Sequence, residues 1–222
     1  MLVAKHNWAM ILRITGQWEL HRRVCKDLLA EWKKAEYGEG VLKTLRSLTM
    51  ALGPQPLPEQ AREIRDLLVS NYSLIQKGDG ILLSEVLSDI AALSLIGIED
   101  QSSPEFGEAL DRAILWLNRA MSLLPPTAGS NHALIHQRLA DCYLRKSMAS
   151  DMDENFQSAI AIFERLGEFD LAAFCAASAA DGWLFFRNRD RAGEYAEVAA
   201  HYISQAKDSP AARAALQILK QL

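Results

Sequence analysis

Strand-forming patterns are scarce in these 222 residues. No long alternation of Val, Ile, Thr and aromatic residues occurs, and no Asn-Gly or Asp-Gly pair joins two such runs, which argues against a β-sandwich or barrel. Cysteine is scarce too. Cys25, Cys142 and Cys175 are far apart, odd in number and without a CxxC pair. That excludes a disulfide framework and suits buried thiols in a reducing compartment. Uninterrupted apolar runs are lacking. The stretch from Ile81 to Ile98 holds Glu85 and Asp89, so it reads as a core helix rather than a membrane span. The first sixteen residues are broken by Lys5 and His6, with no clean small-residue cleavage site, so they do not read as a secretion signal. A cytoplasmic location is expected.

Catalytic signatures are also missing. No Gly-rich phosphate loop, nucleophile elbow, HExxH pattern or paired acid/base motif appears, and Gly78-Asp79-Gly80 lacks the lysine a phosphate loop needs. No cofactor is expected, and an enzyme is not the leading reading. The net charge of −4 gives no general case for nucleic acid or membrane binding. The charge is uneven, however. Residues 1–50 carry nine Lys/Arg against five Asp/Glu, and residues 79–120 carry two against eight. Such polarity fits either a solvated surface or a face for a charged partner.

Helix signals fill the chain. Ala, Leu, Glu, Arg and Lys dominate, and apolar residues recur at spacings of three and four. The pattern predicts helices near 2–14, 17–36, 39–52, 57–77, 80–97, 105–123, 130–148, 152–167, 169–186, 189–206 and 209–221. The Gly53-Pro54-Gln55-Pro56-Leu57-Pro58 run is the strongest stop, because proline denies backbone donors. It divides the prediction into residues 1–53 and 54–222. Ser103-Pro104 and Ser209-Pro210 read as helix starts.

A small-large motif recurs at four-and-three spacing. It appears as Ala192, Ala196 and Ala199, as Ala159, Phe163 and Leu166, and as Ala113, Leu117 and Ala120 with Pro125 after it. Upstream of the first trio stand Ala179, Ala180 and Trp183, and upstream of the second stand Leu139, Ala140 and Tyr143. The step from Trp183 to Ala192 is nine residues, and the step from Tyr143 to Ala159 is seven longer, which predicts an enlarged loop there. Earlier units are fainter: Ala92 and Leu95, then Ala113; and Ile11, Leu12 and Gly16, then His21, Cys25 and Leu28. Residues 39–77 fit poorly. On these residues the chain resembles a divergent tetratricopeptide repeat protein, whose unit is two antiparallel helices in about 34 residues. The resemblance covers about two thirds of the chain. It departs at Ala196, where the family has an aromatic, and at His21, where it has alanine.

The resemblance implies an all-α fold: antiparallel helical hairpins stacked as a short right-handed α-solenoid, with small residues where helices cross and Trp183, Phe163 and Tyr143 filling the space between hairpins. It implies a scaffold or adaptor for a protein or peptide partner, within a larger assembly. The C-terminal segment, with Arg213, Gln217 and Lys220 beside Ala215, Leu216 and Leu219, suits a polar cap. The N-terminus opens on Trp8, Ile11 and Leu12 without one, so a hetero-complex or homo-oligomer through that end is expected. The family's Lys and Asn grip on acidic C-terminal tails does not carry over. Lys5 lies near such a position, but His136 and Ala176 stand in the comparable places.

Binding candidates are Arg187, Arg189 and Arg191 in one turn, with Tyr195 and Trp116 as exposed anchors. His132 and His136 have metal-ligand spacing but no third ligand, so packed or surface histidines are the better reading. Asp151, Asp153 and Asn155 open like a calcium loop, yet Phe156 stands where glycine is required; they read better as caps of a helix starting near Asp153. Arg22, Arg23, Lys26, Lys33 and Lys34 with Trp18 and Trp32 form a basic amphipathic stretch. Its spacing fits a packing face, and the acidic chain argues against nucleic acid. The alternative to an adaptor is an all-helical enzyme or small-ligand sensor with a pocket in its core.

Overall fold

The computed structural model describes residues 2–52, 57–76, 79–98 and 100–221. The residues Gly53 to Pro56 of the proline-rich stop and Gly78 of the Gly-Asp-Gly turn lie outside them. The described residues form helices and no strand, so the protein is all-α. The helices are α1 (Leu2–Ile14), α2 (Trp18–Lys34), α3 (Gly38–Met50), α4 (Pro58–Ser70), α5 (Tyr72–Ile75), α6 (Gly80–Leu93), α7 (Pro104–Leu123), α8 (Gly129–Arg145), α9 (Ala149–Leu166), α10 (Phe169–Phe185), α11 (Arg189–Gln205) and α12 (Pro210–Leu219). They fall into two compact units, Met1–Pro125 and Pro126–Leu222. The Gly53 break lies inside the first unit.

The helix predicted over 57–77 is two helices. Asn71 is buried, and its side-chain amide donates to the Leu67 carbonyl at 2.6 Å. That bond competes with the backbone ladder and ends α4. Ser103 and Ser209 cap α7 and α12 through their hydroxyls, as the sequence predicts.

In the first unit, α1, α2 and α3 pack in succession, and α3 also meets α4, α5 and α6. Helix α6 is buried nearly all round, which explains its apolar run. Its two acids are answered by one arginine. Arg46 donates from Nε to Glu85 at 3.1 Å and from Nη1 to Asp89 at 2.5 Å, and the Thr49 hydroxyl donates to Asp89 at 2.7 Å. A carboxylate so placed is tolerable only when paired.

In the second unit, α8 pairs with α9, while α10 packs against α9, α11 and α12. Leu139, Ala140, Ala159, Phe163, Ala179, Ala180, Ala192 and Ala199 are all buried; Tyr143, Trp183 and Ala196 are half-buried against the same core. Helix α10 presents small residues on several sides, which lets its neighbours approach closely. At Gly182 a Cβ would stand 2.7 Å from the Met152 sulfur, so any larger residue there would require that methionine to move.

One turn recurs. Gly16, Glu36, Ser147, Gly167 and Arg187 have φ between 53° and 74°. Each donates its N–H to the carbonyl three residues back, and the next residue donates to the carbonyl five back from itself. This is the Schellman ending, in which a left-handed residue satisfies the last free carbonyls of a helix. The turns fall at 16 and 36, then at 147, 167 and 187, a step of twenty residues each time. Leu12, Trp32, Tyr143, Phe163 and Trp183 stand four residues before the turn residue. Nine residues beyond each lies a buried residue: His21, Val41, Met152, Ala172 and Ala192. The enlarged loop expected before Ala159 is therefore absent. The partner of Tyr143 at nine residues is Met152, and Ala159 lies about two turns further along α9.

Candidate functional site

The α10–α11 turn and α11 carry four of the five binding candidates, and two of these, Arg191 and Tyr195, meet a residue read otherwise from sequence. Asp153 is not a helix cap, because the Ser147 turn starts α9 at Ala149 and leaves Asp153 inside the helix. The same helical backbone removes the calcium-loop geometry. Asp153 instead collects donors from α10 and α11. Trp183 Nε1 donates to its Oδ1 at 2.9 Å, and the Tyr195 hydroxyl donates to the same oxygen at 2.6 Å. Arg191 Nη2 and Gln157 Nε2 donate to Oδ2 at 2.7 and 2.8 Å. Burial alone would raise the Asp153 pKa, but the bonds from Tyr195, Trp183 and Arg191 outweigh it and hold the carboxyl below its ordinary value. Burial and the bond to Asp153 push the Tyr195 phenol up.

Tyr195 was expected to be an exposed anchor and is buried, 6 % exposed. Its hydroxyl is spent on Asp153, and its ring lies 5.3 Å from the Arg191 guanidinium carbon. Arg191 is half-buried. It also bonds Glu194 at 2.6 Å and lies 5.8 Å from the Trp183 ring. Both are parts of a rigid clasp across α9, α10 and α11. Trp116 is half-buried in the other unit, edge-on to Tyr72 with ring centroids 5.5 Å apart, and lines an open hollow with Arg65, Val69 and Arg112.

The clasp presents what remains of the turn. Arg187 and Arg189 are exposed, and neither forms an ion pair with another described residue. Arg187 occupies the left-handed position at φ 59°. Asn188 caps α11, its side chain accepting from Arg191 N at 3.1 Å. Beside these arginines is Phe185, 64 % exposed. It joins the clasp through Phe186, whose ring centroid is 5.3 Å from that of Phe185 and 5.9 Å from that of Trp183. Sequence reasoning missed Phe185. Its signal was the run Trp183-Leu184-Phe185-Phe186, in which four large apolar residues at the end of one helix cannot all face inward.

The other candidates are paired within the fold or lie on its surface. His136 Nδ1 lies 2.9 Å from Asn155 Oδ1. Lys5 pairs with Glu31, Arg22 with Glu19 and Lys26 with Glu63. Trp32 is buried against Tyr37, while Trp18 is exposed. Among the described residues no three His, Cys, Asp or Glu side chains are placed to hold a metal. A buried trio in the first unit joins His21, Ser47 and Cys25, with His21 Nε2 3.0 Å from the serine oxygen and 3.4 Å from the cysteine sulfur. Burial pushes the Cys25 thiol up to about 12 and the His21 imidazole down, so both stay neutral. No described helix is long and apolar enough to cross a membrane.

A comparison with protein-family models finds no match, and none of the curated proteins is significantly similar to the chain.

Proposed function

We propose that the protein is a cytoplasmic adaptor. In this reading its hairpins stack as a tetratricopeptide-like solenoid, and the α10–α11 turn offers Phe185, Arg187 and Arg189 to an acidic segment of a protein partner. The observation that carries the reading is a clasp beside two arginines that form no ion pair among the described residues. Asp153 fixes Trp183, Arg191 and Tyr195, so the turn is held in one conformation before any partner arrives. A preorganised site loses less freedom on binding. Arginine and exposed aromatic side chains are the residue types that dominate interface energetics. An arginine in the left-handed region is a strained choice where glycine serves at two of the five equivalent turns.

The reading is tested by selecting a displayed peptide library on the purified protein. Enrichment of acidic peptides, with affinity falling at least tenfold in Arg187→Glu/Arg189→Glu and unchanged in Arg22→Glu/Arg23→Glu, supports it. Salt should weaken that binding, because the site is exposed. Peptides without acidic character, or affinity indifferent to both double variants, reject it.

A further inference from the structure

Helices α4 and α7 both pack on α6 and leave a hollow between them. Two close approaches set their directions. A Cβ at Gly97, just past the end of α6, would stand 2.7 Å from Pro58 at the start of α4. A Cβ at Gly80, the start of α6, would stand 2.9 Å from the carbonyl oxygen of Leu123 at the end of α7. Each helix therefore runs antiparallel to α6, and α4 and α7 run parallel to each other. Arg65 lies seven residues after Pro58, and Ile90 lies seven before Gly97. Ile90 is also ten residues after Gly80, and Ala113 is ten before Leu123. Arg65 and Arg112 thus stand near the level of Ile90 on opposite walls. Val69 and Trp116 each follow four residues later, about one turn further along the same two walls.

The hollow encloses about 550 Å³, within the range of small-molecule sites, and buried Ile90 and Ser94 form its floor. Its chemistry is divided along its length. At one level the lining carries two guanidiniums against the single carboxylate of Asp66, an excess of positive charge. Asp66 is spent on its neighbour: Arg65 Nε and Nη2 both donate to its Oδ1, at 3.1 and 2.9 Å, which leaves Nη1. Arg112 gives only Nη1 to Glu108, at 3.4 Å, which leaves Nε and Nη2. Both carboxylates are well exposed, so an incoming anion competes only with weak pairs. One turn further on, the walls are the Val69 side chain and the Trp116 ring, which Tyr72 holds edge-on. The Trp116 indole N–H has no acceptor among the described residues.

We propose that this hollow binds a small organic acid. Arg65 and Arg112 hold its carboxylate from the two walls, and a flat apolar body lies against Trp116 and Val69. Guanidinium N–H groups match a carboxylate in geometry and charge, and an indole packs well against another ring. The site shares no residue with the α10–α11 turn and stands or falls independently of the adaptor reading.

The experiment is isothermal titration calorimetry of the full chain with naphthalene-1-acetate, its neutral amide and plain acetate. Naphthalene-1-acetate should bind with a Kd below about 1 mM. The amide and acetate should each bind at least tenfold more weakly, since each keeps one half of the contact. Arg65→Gln/Arg112→Gln should weaken the acid at least tenfold. Arg62→Gln, exposed on α4 and outside the hollow, should leave it unchanged. Incorporated 5-fluorotryptophan locates the ligand. The acid should shift the fluorine resonance of Trp116, identified by its loss in Trp116→Phe, in wild type and not in the double variant. The signals of Trp8, Trp18, Trp32 and Trp183 report that the double variant is folded. A Kd above about 1 mM for the acid overturns the proposal. So does equal affinity for acid and amide, an affinity indifferent to the double variant, or a shift at another tryptophan in place of Trp116.

Discussion

The indole of Trp183 donates to Oδ1 of Asp153 across thirty residues of sequence. That bond ties the end of α10 to the second turn of α9, and Tyr195 brings α11 to the same oxygen. Removing the acceptor takes this partner from all four donors, of which Arg191 keeps Glu194. Asp153→Ala should destabilise the protein by about 2–3 kcal/mol, because an orphaned buried donor costs more than a hydrogen bond contributes. Urea unfolding followed by circular dichroism gives the number, and a midpoint within error of wild type would refute the clasp.

The same residue predicts a pH dependence. The folded-state pKa of Asp153 is depressed, so its contribution is full above the unfolded carboxyl value near 4 and fades as pH falls through the folded value. The stability gap between wild type and Asp153→Asn should therefore narrow below about pH 4. A gap that is constant from pH 7 to pH 3 would assign the effect to shape rather than charge.

Asp141 behaves in the opposite sense. Burial raises its carboxyl to about 6, against the pull of Arg145 and Arg138. The folded state thus holds a proton that the unfolded chain has released between pH 4 and 6, and stability falls as pH rises through that window. Asp141→Asn should be close to neutral at pH 4 and stabilising by on the order of 1–2 kcal/mol at pH 7.5. Equal effects at the two pH values would contradict the assignment.

Arg187 separates stability from binding. Glycine carries no Cβ penalty in the left-handed region, so Arg187→Gly should raise stability by about 0.5–1 kcal/mol. Gly167→Ala should lower it by a similar amount at the equivalent turn. The adaptor reading adds that Arg187→Gly weakens acidic-peptide binding while the melting temperature rises. A variant that melts higher and binds as well as wild type would remove Arg187 from the contact.

Ala192 tests the packing. It is 4 % exposed where α11 meets α10, and Ala192→Leu should cost about 1–3 kcal/mol by overpacking. An unchanged thermal melt would show that the site has room.

Much of the local structure was legible in the sequence. Periodicity placed most helices, and the Ser-Pro pairs marked two starts. The all-α class followed from the same pattern, and the alanines it singled out at 159, 179, 180, 192 and 199 are buried. The turn period was not legible, because three of the five left-handed positions carry Glu36, Ser147 and Arg187 rather than glycine, and nothing in those residue types announces positive φ. That hid the start of α9 and displaced the partner of Tyr143 from Met152 to Ala159. The clasp was hidden for a related reason. Once Asp153 is assigned to a cap, its donors thirty and more residues away have nothing to point to. Tyr195 and Arg191 then look like free anchors, when each is spent on the same carboxylate.

The twenty-residue step also sets how such a chain can change in length. A duplication or deletion of twenty residues at one of the five turns adds or removes a single helix and reverses the direction of everything after it. Forty residues restore the direction and leave every downstream packing face where it was. Insertion of a 34-residue unit, the length of a standard tetratricopeptide hairpin, would fall six residues short and turn the following helix by roughly 240° at 3.6 residues per turn. Length variants of this protein that still fold should therefore differ in multiples of forty across these turns, and shorter changes should collect in the stretch between α3 and α7, where the step is not kept.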